Sequence, residues 1–285
     1  MMKVFVTGVN GQLGQEMAAI LTRKGHTVIS SDKDSMDLSQ PENIENFFTQ
    51  FPDAIVHCAA FTAVDKAEDE EQLCMNVNYR STSKLCDVAR KADIPFVFIS
   101  TDYVFDGTKQ GMYTTEDATC PVNVYGRSKQ LAEEYVLKYP KSFVLRTSWV
   151  FGKGNNFVKT MLKLAQQGKK QLNVVCDQVG SPTYAYDLAT AICSMLFTDK
   201  YGLYHVTNEN FCSWYEFARQ IFTEAGYDVE VLPVTSDQYP TRAKRPLNSR
   251  LDKSKLYTNG FAPLPTWQDA LSRYIAFLKK EGECR

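Results

Sequence analysis

Short apolar runs rich in β-branched and aromatic residues alternate with amphipathic stretches through the first half of the chain. "KVFVTG" (3–8), "HTVISSD" (26–32), "DAIVHCAA" (53–60), "PFVFIS" (95–100) and "SFVLRTSWVF" (142–151) read as strands. Between them, helical periodicity predicts helices near 12–24, over "PENIENFFTQF" (41–51) with proline in its first turn, over 70–92 and near 125–138. Strands apolar on both faces that alternate with helices form a parallel sheet covered on both sides. Right-handed crossovers make that sheet doubly wound, the α/β arrangement of Rossmann type.

The rhythm loosens after about residue 150, where a helix near 156–168, the strand "LNVVCD" (172–177) and a helix over 185–197 precede proline-containing loops at 233–246 and 262–266. The expected division is a dinucleotide-binding domain over 1–150, to which the chain returns around 172–197, and a smaller substrate-binding lobe drawn mainly from 151–285.

Composition narrows the function classes. With 44% hydrophobic and 23% charged residues, 285 residues suffice for one large or two modest globular domains. A formal net charge of −1 offers no electrostatic footprint for nucleic acid or an acidic membrane. The longest apolar stretch, "LATAICSMLF" (188–197), is too short to span a bilayer, and a strand beginning at residue 3 leaves no room for a signal peptide. A cytoplasmic protein is expected. The eight cysteines, at 58, 74, 86, 120, 176, 193, 212 and 284, show no CxxC spacing and read as buried free thiols. Three scattered histidines supply no metal-ligand pattern, so no metal is expected.

Chemistry enters with Gly8, Gly11 and Gly14, set between the first strand and the first helix. Gly8 permits a tight turn, Gly11 lets backbone approach a pyrophosphate, and Gly14 lets helix pack on strand, with the helix N-terminus facing the anion. Asn10, Gln12 and Leu13 share that turn and are expected at the cofactor. Asp32 ends the second strand, where a carboxylate binds adenosine ribose hydroxyls, while the adjacent Lys33 suits a 2′-phosphate. NADP(H) and NAD(H) therefore both remain open. Asp37 and Leu38 are placed to flank the adenine, and Ala59 and Ala60 to pass beside the nicotinamide ribose.

"NVYGRSK" sets Tyr125 and Lys129 four apart, on one face of a helix. Composition alone would produce one such pair, so its location carries the weight: it follows the strand ending in Thr101, at the edge where open parallel sheets bind ligands. An ammonium beside a phenol stabilises the phenolate and lowers its pKa, and a threonine hydroxyl can orient a carbonyl. Tyr125 would then protonate the alkoxide formed when hydride reaches a ketone.

These residues resemble the extended short-chain dehydrogenases/reductases that act on sugar nucleotides. "STDYVFDG", "PVNVYGRSK", "LRTSWVFGKGNNFVKTML", "DQVGSPTYAYDLA" and "RPLNSRLD" resemble, in order and from residue 3 to about 270, the dTDP-4-dehydrorhamnose reductase family. The resemblance implies reduction of the 4-keto group of dTDP-4-dehydro-6-deoxy-L-mannose to dTDP-L-rhamnose by NADPH or NADH, for cell-surface polysaccharide. It implies that Thr101, Tyr125 and Lys129 are the catalytic set, the latter two also touching the cofactor. Asp102 and Tyr103 would border the sugar, and Trp149 would pack against it. Asn155, Asn156 and Arg245 suit the nucleotide diphosphate. Some relatives bridge subunits through magnesium held by acidic residues; Glu16 matches one such position, but Tyr186 and Gln268 stand at the others, which leaves a monomer or a homodimer without that bridge.

Related readings are another sugar-nucleotide epimerase or reductase, and a non-catalytic NADP-binding subunit similar to the regulatory β-subunit of methionine adenosyltransferase. A dehydratase needs an Asp-Glu pair after the threonine, where this chain has Asp102-Tyr103.

Overall fold

In the computed structural model, which describes residues 1–48 and 50–284, strands β1 (Lys3–Thr7), β2 (Thr27–Ser31), β3 (Ala54–His57), β4 (Phe96–Thr101), β5 (Ser142–Thr147) and β10 (Gly202–His205) form one sheet in the order β10-β5-β4-β3-β1-β2. Every neighbouring pair is parallel. Alternation along each strand then assigns the two faces. Val4 and Val6 point to the side covered by α1 (Gln12–Arg23) and α5 (Ala185–Leu196), whereas Phe5 joins Ile55, Phe96 and Phe98 on the other. That second face is covered by α2 (71–92) and α3 (Val124–Val136).

The long helix expected over 70–92 is present with a π-turn at Asn76–Arg80. Asn78 in that turn is buried: Phe61 N–H donates to its Oδ1 at 2.8 Å, and its Nδ2 donates to Phe61 O and, at 2.9 Å, to Ser128 Oγ on α3. The turn thus ties the segment after β3 to α3. The helix expected over 41–51 is shorter, a 3-10 turn at Pro41–Asn43 leading into Ile44–Phe47; position 49 lies outside the described residues.

The second lobe has its own apolar core, in which α4 (Phe157–Gln166), α6 (Trp214–Ala225) and α7 (Trp267–Lys280) pack around Phe151, Phe217 and Tyr274. The segment 172–197 is divided between the lobes: β7 (Gln171–Val175) pairs with β12 (Glu230–Val234) outside the main sheet, while α5 lies on α1. Two short sheets link the lobes, β6 (Val150–Phe151) with β9 (Thr183–Tyr184), and β8 (Val179–Gly180) between β11 (Cys212–Ser213) and β13 (Asn248–Ser249). All eight cysteines are free thiols, but only Cys74, Cys86, Cys193 and Cys212 are buried, and Cys120 is exposed in the loop before α3. Among the described residues no helix is long and apolar enough to cross a membrane.

Candidate active site

A cavity of about 1180 Å³ runs along the carboxyl edge of the main sheet, from the turn after β1 past the end of β4 to the second lobe. Gly8, at φ +67°, turns the chain, and its N–H donates to Ser31 O at 2.8 Å. A Cβ on Gly8 would sit 2.8 Å from the Ala59 backbone, and one on Gly14 only 2.1 Å from Gly8 O. Gly14 is therefore a packing glycine off the cavity wall, whereas Gly8, Asn10, Gly11, Gln12 and Leu13 line it.

Asp32, Lys33, Asp37, Leu38, Ala59 and Ala60 also line the cavity. The Asp32 carboxylate accepts from Ser35 N and Oγ at 3.0 and 2.8 Å and from Asn10 Nδ2 at 3.0 Å, and the Ser35 bonds hold it below the usual carboxylate range. Ser39 does the same for Asp37, with Lys33 adding its charge.

At the end of β4, Thr101 Oγ1 donates to Asp102 Oδ1 at 2.9 Å, and Thr101 and the Tyr125 phenol line the same stretch of the cavity. α3 begins beside them, with Asn123 capping it by accepting from Gly126 N–H at 2.7 Å. A Cβ on Gly126 would lie 2.1 Å from Tyr103 O, so this glycine lets the first turn of α3 press against the turn after β4. The closeness brings the Tyr103 and Tyr125 rings edge to face at 5.7 Å. Lys129, 2% exposed, holds Nζ 4.1 Å from the Phe98 ring centroid. Burial pulls its ammonium down to about 7, against the pull of Glu133 one turn further on.

Burial also pushes the Tyr125 phenol above its ordinary value, with Thr101 the group that draws it down. The net shift of Tyr125 runs opposite to the lowering expected from a neighbouring ammonium, because desolvation of the phenolate outweighs the influences that draw it down. Tyr125 is held as a neutral acid.

Trp149 and Asn155 line the far end of the cavity together with Trp214. Two residues expected there serve elsewhere. Asn156 caps α4, accepting from Lys159 N–H at 3.1 Å and donating to Gly152 O at 2.6 Å and Tyr274 Oη at 3.2 Å. Arg245 lies off the wall, where its guanidinium donates to both oxygens of Asp65 at 3.1 and 2.6 Å. Glu16 is buried with Lys153 Nζ at 3.4 Å.

Sequence reasoning missed Trp214, Gly126, Phe98 and Ser249. "YG" in the first turn of α3, three residues past the Asn123 cap at its glycine, was a local signal for Gly126; Trp214 and Ser249 reach the site only through the fold.

A glycine turn at the head of a doubly wound parallel sheet, sharing one cavity with the half-buried Tyr125 and the buried Lys129, defines a Rossmann-type dinucleotide site of the extended short-chain dehydrogenase/reductase class. Residues 2–280 match the model of the family described as the RmlD substrate binding domain. The chain belongs to this family, that of the dTDP-4-dehydrorhamnose reductases. The dTDP-4-dehydrorhamnose reductase of Aggregatibacter actinomycetemcomitans is 41% identical, over 97% of this chain and 99% of its own length. The spore coat polysaccharide biosynthesis protein SpsK of Bacillus subtilis (strain 168) is also 41% identical, over 96% and 97%. The crystal structure of dTDP-4-dehydrorhamnose reductase from Bacillus anthracis strain Ames in complex with NADP has a TM-score of 0.93 and 38% identity, covering 97% of this chain and 99% of that one.

Proposed function

We propose that this chain reduces the 4-keto group of dTDP-4-dehydro-6-deoxy-L-mannose to give dTDP-L-rhamnose, using NADPH or NADH, in the synthesis of cell-surface polysaccharide. The observation that carries this reading is the half-buried Tyr125, kept neutral by desolvation and sharing one cavity with Thr101, Lys129, the Gly8 turn and Trp149.

The wall fits a dinucleotide. Gly8 and Gly11 present bare backbone, and Gln12 Oε1, Ser100 Oγ and Thr147 Oγ1 are buried on the cavity without a hydrogen-bond partner among the described residues. The turn from Gly8 to Leu13 and the N-terminus of α1 would hold the pyrophosphate, Asp32 and Lys33 the adenosine ribose side, Asp37 and Leu38 the adenine, and Ala59 and Ala60 the nicotinamide ribose. When bound, the cofactor supplies the hydride. Tyr125 gives its phenolic proton to the sugar oxygen as negative charge develops there. Lys129, fixed over Phe98 one helical turn away, favours the phenolate that remains. Trp149 and Tyr103 bound the sugar, and Asn155 lies toward the nucleotide. Asp65 already takes the charge of Arg245, which in this reading braces Tyr103.

Incubation with NADPH and the keto sugar nucleotide, followed by nicotinamide absorbance and product chromatography, tests the proposal. Equimolar loss of NADPH with appearance of the 6-deoxy sugar nucleotide is expected. Tight NADPH binding without absorbance loss would favour the non-catalytic subunit, and product formation without net oxidation would favour an epimerase.

A further inference from the structure

β1 and β3 end side by side, with Thr7 in register with His57. Each lies two residues beyond an apolar residue, Phe5 or Ile55, on the face that α2 covers, so both side chains share that face. Both are buried.

His57 Nδ1 lies 2.7 Å from Thr7 Oγ1, and its Nε2 lies 3.0 Å from Thr82 Oγ1 on α2. Thr82 donates to Asn78 O at 2.7 Å, and the Ala59 N–H donates to Thr7 Oγ1 at 3.1 Å. The Asn78 side chain in turn holds Phe61 by both of its backbone groups. These bonds close a circuit, from Thr7 through His57, Thr82 and Asn78 to Phe61, and back along the chain to Ala59.

The hydrogens of the circuit have one arrangement. A threonine hydroxyl has a single hydrogen, and that of Thr82 is given to Asn78 O, so Thr82 can only accept from His57. Nε2 therefore carries a hydrogen. Burial keeps the imidazole neutral, pulling its pKa down to about 3, so Nδ1 is bare and accepts the Thr7 hydrogen. The Thr7 lone pairs are left for the Ala59 N–H.

Ala59 is also the backbone against which Gly8 packs, since a Cβ on Gly8 would come within 2.8 Å of Ala59 N. The circuit thus sets the spacing between the turn after β1 and the strip Ala59–Phe61 after β3, both of which line the cavity. Through the 2.9 Å bond from Asn78 Nδ2 to Ser128 Oγ it also reaches α3, one residue before Lys129.

We propose that His57 is a positioning residue for the nicotinamide half of the cofactor: as the Nε2–H tautomer it links Thr7 to Thr82 and fixes the strip Ala59–Phe61 against the Gly8 turn. The inference rests on the reading that the nicotinamide ribose lies along Ala59 and Ala60. The adenosine half is held by other means, at Asp32, whose bonds to Ser35 and Asn10 share no member with the circuit. A strip fixed before the ligand arrives loses less freedom on binding.

The test uses the full chain carrying His57→Phe, titrated with two ligands. The phenyl ring keeps the volume and the contacts with Phe96 and Phe98, whose centroids lie 6.3 and 6.2 Å from that of the imidazole, and removes both nitrogens. The NADPH Kd should rise roughly tenfold, the scale of a lost buried hydrogen bond. The Kd of adenosine 2′,5′-bisphosphate, which lacks the nicotinamide half, should stay within about twofold of its unmodified value. In the unmodified chain, nitrogen-15 NMR should show His57, assigned by the signal lost in His57→Phe, as the Nε2–H tautomer without titration between about pH 5 and 8. An unchanged NADPH Kd, or an equal loss of both affinities, would make His57 a core residue with no bearing on the nicotinamide half and overturn the inference. The Nδ1–H tautomer, or a His57 titration within that pH range, would overturn it as well. Failure of the unmodified chain to reduce the sugar nucleotide would instead sink the reductase reading, and the NADPH titrations would still report on His57.

Discussion

Trp149 lies flat on Trp214, with ring centroids 3.7 Å apart and planes within 12°. Trp149 holds this pose with a left-handed backbone, φ +51°, which costs a bulky residue on the order of 1–3 kcal/mol. Its indole is seated on Gly180, where a Cβ would come within 2.8 Å of the ring. Strain retained in a half-exposed aromatic on the cavity wall marks a surface shaped for a ligand. Trp149→Ala should raise KM for the sugar nucleotide roughly tenfold, in line with a lost stacking partner, while leaving the NADPH Kd unchanged. Initial-rate kinetics beside a fluorescence titration measure both; a proportional loss of the two affinities would return Trp149 to a purely structural role.

The three glycines of the first turn differ in what a side chain would meet. A Cβ at Gly14 collides with Gly8 O at 2.1 Å, whereas one at Gly11 approaches the same oxygen only to 3.1 Å. Gly14→Ala should therefore weaken NADPH binding more than Gly11→Ala and cost about 1–3 kcal/mol of stability, although Gly14 does not line the cavity. Equal effects, measured by NADPH titration and thermal unfolding, would show that the turn tolerates the displacement.

Tyr125→Phe keeps the ring contact with Tyr103 and removes the proton. Turnover should fall by roughly 10²–10⁴-fold with the NADPH Kd preserved. A kcat close to that of the unmodified chain, in a variant shown to bind cofactor, would remove Tyr125 from the chemistry.

Lys129 is a buried cation whose ordinary value of 10.5 is pulled down to about 7. A folded-state value below the unfolded one means the charged lysine opposes folding most at and below about pH 7, and the opposition fades as pH rises towards the ordinary range. Lys129→Met should accordingly stabilise the fold by about 1–4 kcal/mol near pH 7, by less near pH 10, and abolish turnover. Denaturant unfolding at the two pH values checks the sign; destabilisation near pH 7 would show that Glu133 and the Phe98 ring more than offset the desolvation of the ammonium.

The parts of the site that could be read from the sequence are those whose residues are close together in it. The Gly8 turn follows its strand directly, and Tyr125 and Lys129 share one helical turn after the strand ending in Thr101, so their position in the chain already places them on one cavity. Asn156 shows a local signal read the wrong way: an asparagine directly before the apolar run "FVKTML" is a helix cap, and its side chain is spent on α4. Arg245 shows the opposite case. A lone arginine in a proline-rich loop looked available for phosphate, yet Asp65, 180 residues earlier, meets it in the fold.

The sequence by itself determined the alternating strands and helices, the parallel sheet they must form, the glycine turn and the spacing of Tyr125 and Lys129, because each follows from backbone geometry and the burial of neighbouring side chains. Only the tertiary structure decided that Trp214 lies beneath Trp149, that Asp65 neutralises Arg245, and that Ser249 reaches Asp102 from β13. Such pairings carry no periodicity; they arise where the return of the chain across two lobes brings buried polar groups and flat aromatic faces together, and once water is excluded each must find its partner among whatever the fold has placed within reach.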